Sequence, residues 1–335
     1  MNACEMVKAA VEHKETGMAP YRIDWTFEAF NMYSSRIMAR YSTPGIRHLL
    51  EKGVLDEYEA LQLAIGNHVY SPSPTMPWWD WYEIPDEYFT SNEPPGYFPK
   101  TIGTGNYEAT IEKIRICKEL TGCYILVLYY GSHFEKANTC RGPENLYADI
   151  AANPGFLKGL LDYIVSKNLV MLENIIHIPE IDGILVGGDW GSQKTTIMSP
   201  EAWRELIMPG EKREYDMIKS GGKHVWIHSC GNIEALFPML IEIGLQVVNP
   251  VQPECMDIYR LKRDFGDKLA FWGGISTQST LPYGTPEDVK AETRRVVTEM
   301  SRGGGYIAAP AQHIQADVPY ENICALIDTL KEFSN

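Results

Sequence analysis

The feature that most limits what this chain can fold into is a rhythm. Short β-rich apolar runs, each ending in glycine or a polar residue, alternate with stretches of helical pattern. The runs predict strands at 21–25, 124–130, 183–186, 225–228, 247–250, 269–272 and 306–309, with an eighth near 66–70. Helical pattern falls at 5–13, 107–120, 155–176, 233–243, 256–265, 285–300 and 319–333. A further helix opens at Ser199-Pro200-Glu201, with serine at the N-cap and proline at the first helical position. No GxGxxG or P-loop follows any of the strands. Repeated βα units without a phosphate-binding fingerprint favour an α/β (β/α)8 TIM barrel over a doubly wound sheet. No repeat, low-complexity tract or linker interrupts 1–335, so one barrel domain is expected, with a short N-terminal helical extension.

At 335 residues and 44% hydrophobic, the chain can bury a sizeable core. A net charge of -14 argues against nucleic acid and anionic membrane as partners. No stretch approaches the ~20 apolar residues of a membrane span. The opening residues lack the basic and apolar regions of a secretory signal. Seven scattered cysteines make no disulfide framework, and a reducing cytoplasm is the expected compartment.

The clearest chemical signal is His228-Ser229-Cys230-Gly231, at the end of a strand. In extended chain, residues two apart point the same way, so an imidazole and a thiolate can converge on one ion. Zinc favours such nitrogen and sulfur ligands. Packing in a core is the bland alternative for both residues. In a barrel, the loops after the strands carry the chemistry. The polar residues there are Asp189, His228, Cys230, Asn249, Gln252, Gln312 and His313, which are expected to ring one mouth. Taken singly, Asp189 and Asn249 equally suit turns, and Gln312 and His313 equally suit solvated loops. The Pro- and aromatic-rich stretch 71–100, with Trp190 and Trp272, supplies either an apolar substrate wall or ordinary packing.

At these residues the chain resembles the uroporphyrinogen decarboxylase superfamily, on its branch of cobalamin-dependent methyltransferases. The resemblance is carried by Asp189-Trp190-Gly191-Ser192-Gln193, Met198-Ser199-Pro200-Glu201-Ala202-Trp203-Arg204 and His228-Ser229-Cys230-Gly231-Asn232. It continues through Asn249-Pro250-Val251-Gln252-Pro253, Phe271-Trp272-Gly273-Gly274-Ile275 and Ala309-Pro310-Ala311-Gln312-His313-Ile314-Gln315. It implies the same barrel. The decarboxylases of this family grip their tetrapyrrole carboxylates with an arginine-containing opening segment. Here that segment is Arg22-Ile23-Asp24-Trp25-Thr26, and one arginine beside one acid makes a poor clamp.

The methyltransferase branch implies a zinc ion held by the His-x-Cys pair and a later cysteine. His228 and Cys230 match the pair, but the later position falls near Gln312. His313 is the nearest replacement, with Asp189, Glu254 and Cys255 as others. The resemblance thus implies zinc on His228, Cys230 and His313, with Asp189 or His313 as the acid and Trp190, Asn249, Gln252, Trp272 and Gln312 as substrate contacts. The expected activity moves a methyl group between a small methylated compound, such as a methyl ether or methylamine-type donor, and the cobalt of a corrinoid on a partner protein. Transfer from a methylcobamide to a thiol is the reverse variant. A metal-free lyase and a non-catalytic binding protein are the alternatives from other classes.

Overall fold

The computed structural model describes residues 1–72, 107–129 and 133–334. The chain divides into two compact units. Of the described residues, the first holds 1–72, 108–126 and 246–334, and the second 107, 127–129 and 133–245. Among the described residues the strands are β1 (Val69–Tyr70), β2 (Tyr124–Tyr129), β3 (Gly183–Gly187), β4 (His224–His228), β5 (Val247–Val251), β6 (Ala270–Ile275) and β7 (Tyr306–Pro310). Within the units the pairings between these strands are parallel and helices separate the strands, so the protein is an α/β fold.

In the first unit β1 pairs with β2, and β6 lies between β5 and β7. Residues of β5, β6 and β7 are buried throughout, as strands covered on both faces must be. The register of β5 shifts between Val248 and Val251. Pro250 has no amide to donate to the ladder, and the Asn249 side-chain amide donates instead to the Trp272 carbonyl at 3.3 Å. Gly273 meets the irregularity with φ +131°, where an added Cβ would sit 2.9 Å from the Val251 carbonyl oxygen.

The strand expected at 21–25 is replaced by two isolated bridges, Tyr21 with Ala308 and Trp25 with Ile314. The segment does run beside β7, since Arg22 donates its amide to Ala308 and Ala308 donates to Pro20. On its other side one backbone bond, from the His68 amide to the Tyr21 carbonyl at 3.0 Å, is joined by side-chain bonds that interrupt the ladder. The Ile23 amide donates to Asn67 Oδ1 at 2.9 Å, and the Tyr21 amide donates to His68 Nδ1 at 3.3 Å. The eighth strand near 66–70 is present as β1.

The helix Ala3–Val11 forms behind an Asn2–Glu5 capping box. It is packed rather than peripheral. Its Met6, Val7, Ala10 and Val11 are buried, Cys4 donates to the Gly122 carbonyl, and Gly305 donates to Ala10, at the N-terminal ends of β2 and β7. Helices Phe27–Tyr41, Pro44–Glu51 and Glu57–Ala64 were not expected from the sequence. In the second unit, His133–Arg141 and Pro143–Ala152 are likewise additions. All seven cysteines are free thiols. Among the described residues no helix is long and apolar enough to cross a membrane. The expected aromatic wall of 71–100 lies outside the described residues beyond Pro72.

Candidate active site

The second unit brings two strand ends together. β3 and β4 pair in register, with Gly187 opposite His228, so the loops that follow them leave the sheet side by side. Those loops are clamped to each other. Ser229, fully buried, accepts the Trp190 amide on its Oγ at 3.0 Å. Asp189 Oδ1 accepts the Cys230 amide at 3.0 Å, a charge-assisted bond of the kind worth about 1.5–3 kcal/mol. Asn232 donates its amide to the Ser192 carbonyl at 2.8 Å. Only glycine fits where the loops cross. A Cβ on Gly191 would lie 2.3 Å from the Cys230 carbonyl oxygen.

The clamp sets three ligand-bearing side chains against one another. His228 Nε2 lies 3.3 Å from Cys230 Sγ and 3.8 Å from Asp189 Oδ1. The three ligand atoms all fall within 4.8 Å of one another. Zinc bonds of about 2.0–2.3 Å in tetrahedral array put neighbouring ligands roughly 3.3–3.8 Å apart, so an imidazole, a thiol and a carboxylate at these distances fit that ion. The Asp189 side chain is 49% exposed and that of His228 25%, which leaves the group open to a small molecule. Asp189 is also held in the left-handed region, at φ 49°. For a non-glycine residue that costs about 1–2 kcal/mol, and the Cys230 amide bond offsets it. Trp190, expected as a substrate wall, is fully buried and packs edge-on against Trp203 with ring centroids 5.1 Å apart. It anchors the loop that carries Asp189.

The remaining sequence-derived candidates sit in the first unit. Asn249, Gln252 and Trp272 are buried, Gln312 is half-buried and His313 is exposed. Glu254, an alternative ligand, accepts on Oε1 from Ser276 Oγ at 2.6 Å and from the Gln278 amide at 3.1 Å. Cys255 donates its thiol to the Gln252 carbonyl. Both are therefore tied into their own loops.

In the first unit, Arg22 and Asp24, read from the sequence only as a weak clamp, pair with each other. Arg22 is buried and donates from Nε to Asp24 Oδ2 at 2.7 Å and from Nη2 to Oδ1 at 2.9 Å. Its Nη1 donates to Ser71 Oγ at 2.6 Å, and its Cζ stands 5.5 Å from the Trp272 ring centroid. Burial pushes the Asp24 carboxyl upward, but the Arg22 guanidinium outweighs it and holds the group below the ordinary carboxylate range, with help from His313. The signal was available in the i, i+2 spacing of Arg22 and Asp24 on extended chain, the same logic that singled out His228 and Cys230.

Parallel strands alternating with helices, and a His–Cys–Asp group on the loops after adjacent strand ends, define a protein of the α/β enzyme class. More particularly, the chain belongs to the uroporphyrinogen decarboxylase (URO-D) family, whose sequence model matches residues 99–333. Among curated relatives, a methylated-thiol–coenzyme M methyltransferase of Methanosarcina mazei is 22% identical over 72% of this chain and 60% of its own length. A methylcobamide:CoM methyltransferase of Methanosarcina barkeri is 24% identical over 67% of this chain and 63% of its own. The chain thus matches less than two thirds of the length of these relatives. The solved structure of a methyltransferase from Methanosarcina mazei shares the fold, with a TM-score of 0.69 at 16% identity over 99% of each chain.

Proposed function

We propose that this protein is a cytoplasmic, corrinoid-dependent methyltransferase on a single (β/α)8 barrel domain spanning 1–335. It moves a methyl group between a small methylated substrate, such as a methyl ether or methylamine-type donor, and the cobalt of a corrinoid carried by a partner protein. One observation carries the reading: the convergence of Asp189 Oδ1, His228 Nε2 and Cys230 Sγ. These three residues are the ones that would hold zinc. Zinc bound there supplies Lewis-acid polarisation of the substrate heteroatom as charge develops on it.

The chain's own residues do the rest. The Cys230 amide fixes the Asp189 carboxylate, and Ser229 holds the adjoining loop. Asp189 is taken as the third ligand in place of His313, and His313 is kept, on its sequence position alone, as the proposed proton donor or acceptor for the substrate heteroatom. Asn249, Gln252, Trp272 and Gln312 are assigned to substrate contact. A carboxylate donates less charge to zinc than a second thiolate would, which favours an oxygen or nitrogen donor. The reverse variant, from a methylcobamide to a thiol, is favoured by the names of the relatives, which pair coenzyme M with methylated thiols and with methylcobamide.

The test is a two-way assay with zinc-loaded protein. One arm offers cob(I)alamin with methyl ethers and methylamines. The other offers methylcobalamin with thiols. The change in the corrinoid spectrum reports transfer, and Cys230→Ser is expected to abolish it. No transfer in either arm, with a zinc-independent decarboxylation that Cys230→Ser leaves intact, would make the protein a lyase instead.

A further inference from the structure

A second group of ligand-type side chains lies inside the second unit, on helices rather than on the strand-end loops just described. His133 opens the helix His133–Arg141, and Glu211 and Glu214 lie one turn apart on the helix Met208–Ser220. All three side chains are wholly buried, at 0% exposure. His133 Nδ1 stands 3.4 Å from Glu211 Oε1 and 3.7 Å from Glu214 Oε1. The three ligand atoms again fall within 4.8 Å of one another.

Among the described residues, both His133 ring nitrogens and Glu214 Oε2 have no hydrogen-bond partner, and the Glu211 carboxylate has the buried Tyr215 hydroxyl beside it. Buried groups of this kind are nearly always satisfied, and each one left bare costs about 1–3 kcal/mol. Burial of two carboxylates side by side is costly even with the buried Lys136 acting on Glu214.

The surroundings look built to hold these groups in place. Asn168, on the helix Pro154–Ile176, donates from Nδ2 to Glu214 Oε1 at 2.6 Å. Lys136 donates from Nζ to Asn168 Oδ1 at 2.8 Å. Outer partners of this kind orient metal-binding carboxylates. The imidazole is wedged against backbone, since a Cβ on Gly210 would lie 2.8 Å from His133 Nε2 and Cε1. The ring is thereby fixed with Nδ1 turned to the carboxylates.

We propose that His133, Glu211 and Glu214 form a buried structural site for a divalent cation of the zinc or manganese class. One imidazole nitrogen and carboxylate oxygens suit a hard-to-borderline ion, and the absence of a thiolate sets the site apart from His228–Cys230. The spacings match ligands about 2.0–2.2 Å from a common centre. The cation satisfies the bare atoms, neutralises the paired carboxylates and ties the helix His133–Arg141 to Met208–Ser220. Its full burial keeps it from substrate, so its role is to hold the fold. The proposal does not depend on the methyltransferase reading.

The test uses the full chain carrying His228→Ala and Cys230→Ser, which removes the strand-end ligands. It is expressed with zinc or with manganese, dialysed against chelator and analysed for metal. One cation per chain should remain, and removing it by unfolding in chelator should lower the melting temperature on refolding. Adding Glu211→Gln and Glu214→Gln should abolish retention. A folded His228→Ala/Cys230→Ser protein that retains neither metal overturns the proposal and leaves a protonated Glu211 beside His133. Metal that survives the Glu→Gln changes also overturns it. If the quadruple variant does not fold, the metal content and metal-dependent melting of the double variant decide the matter.

Discussion

Replacing Arg22 with leucine should do more than remove three hydrogen bonds. The guanidinium holds both oxygens of Asp24, at 2.7 and 2.9 Å, and also Ser71 Oγ at 2.6 Å. The side chains of Arg22 and Asp24 are only 3% and 13% exposed. Removing one member of a buried pair leaves an uncompensated charge and costs about 3–5 kcal/mol. The pH dependence carries the sharper signature. In the wild type the Asp24 carboxyl titrates below its ordinary value. Its stabilising contribution is therefore complete above the unfolded pKa and is lost only as pH falls through the lower folded value. In Arg22→Leu the largest offset to burial is gone, His313 and the Tyr58 hydroxyl remain, and the folded pKa rises toward and past the unfolded one. The variant then recovers stability as pH falls, because protonation removes the buried charge. The difference in urea-unfolding free energy between variant and wild type should be about 3–5 kcal/mol at pH 7.5 and clearly smaller at pH 5. Taking the difference cancels the titration of other groups common to both proteins. A penalty below about 1 kcal/mol, or one independent of pH, would refute this account of the pair. Asp24→Asn in the Arg22→Leu background should restore part of the loss.

Gly191→Ala forces a Cβ to within 2.3 Å of the Cys230 carbonyl oxygen, so it should cost about 1–3 kcal/mol and weaken zinc binding, read by competition with a chromophoric chelator. His68 is buried and accepts the Tyr21 amide on Nδ1, and burial pushes its pKa down to about 4. A histidine with a depressed pKa loses stability as pH falls from its unfolded value toward the folded one. Wild-type unfolding free energy should therefore drop by up to ~3 kcal/mol between pH 6.5 and 4, and His68→Gln should flatten that window. Stripping zinc should lower the wild-type melting temperature by more than that of Cys230→Ser, by calorimetry at equal chelator.

Much of the fold was legible because its strands are short, apolar and bounded by polar residues. β3 through β7 fall where the pattern predicted, and β1 appears as the eighth strand near 66–70. The segment 21–25 misled because its β-rich residues do run extended, while Asn67 and His68 side chains take up the backbone groups a ladder would use. Phe27–Tyr41 was missed although Thr26 caps it and Ala29, Tyr33 and Ile37 recur every fourth residue. Exposed Phe27 and Met32 blur that stripe. His133–Arg141 shows almost no apolar periodicity, because it is buried through His133, Lys136 and Arg141 as well as its apolar residues.

The site was half legible. His228 and Cys230 share a face by strand geometry alone. That Asp189 joins them follows from the register of Gly187 opposite His228 and from the Cys230 amide bond, which no local pattern encodes. His133 comes from one helix and Glu211 and Glu214 from another far along the chain, and they gave no signal in the sequence.

The central claim is that Asp189, His228 and Cys230 together bind the metal. Its most direct test is the absorption spectrum of cobalt(II)-substituted protein. The account predicts thiolate-to-cobalt charge transfer and intense tetrahedral ligand-field bands in the wild type. Cys230→Ser should lose the charge transfer, and Asp189→Ala should alter the ligand-field bands while keeping it. A wild-type spectrum without thiolate charge transfer, or one that Cys230→Ser leaves unchanged, would contradict the account.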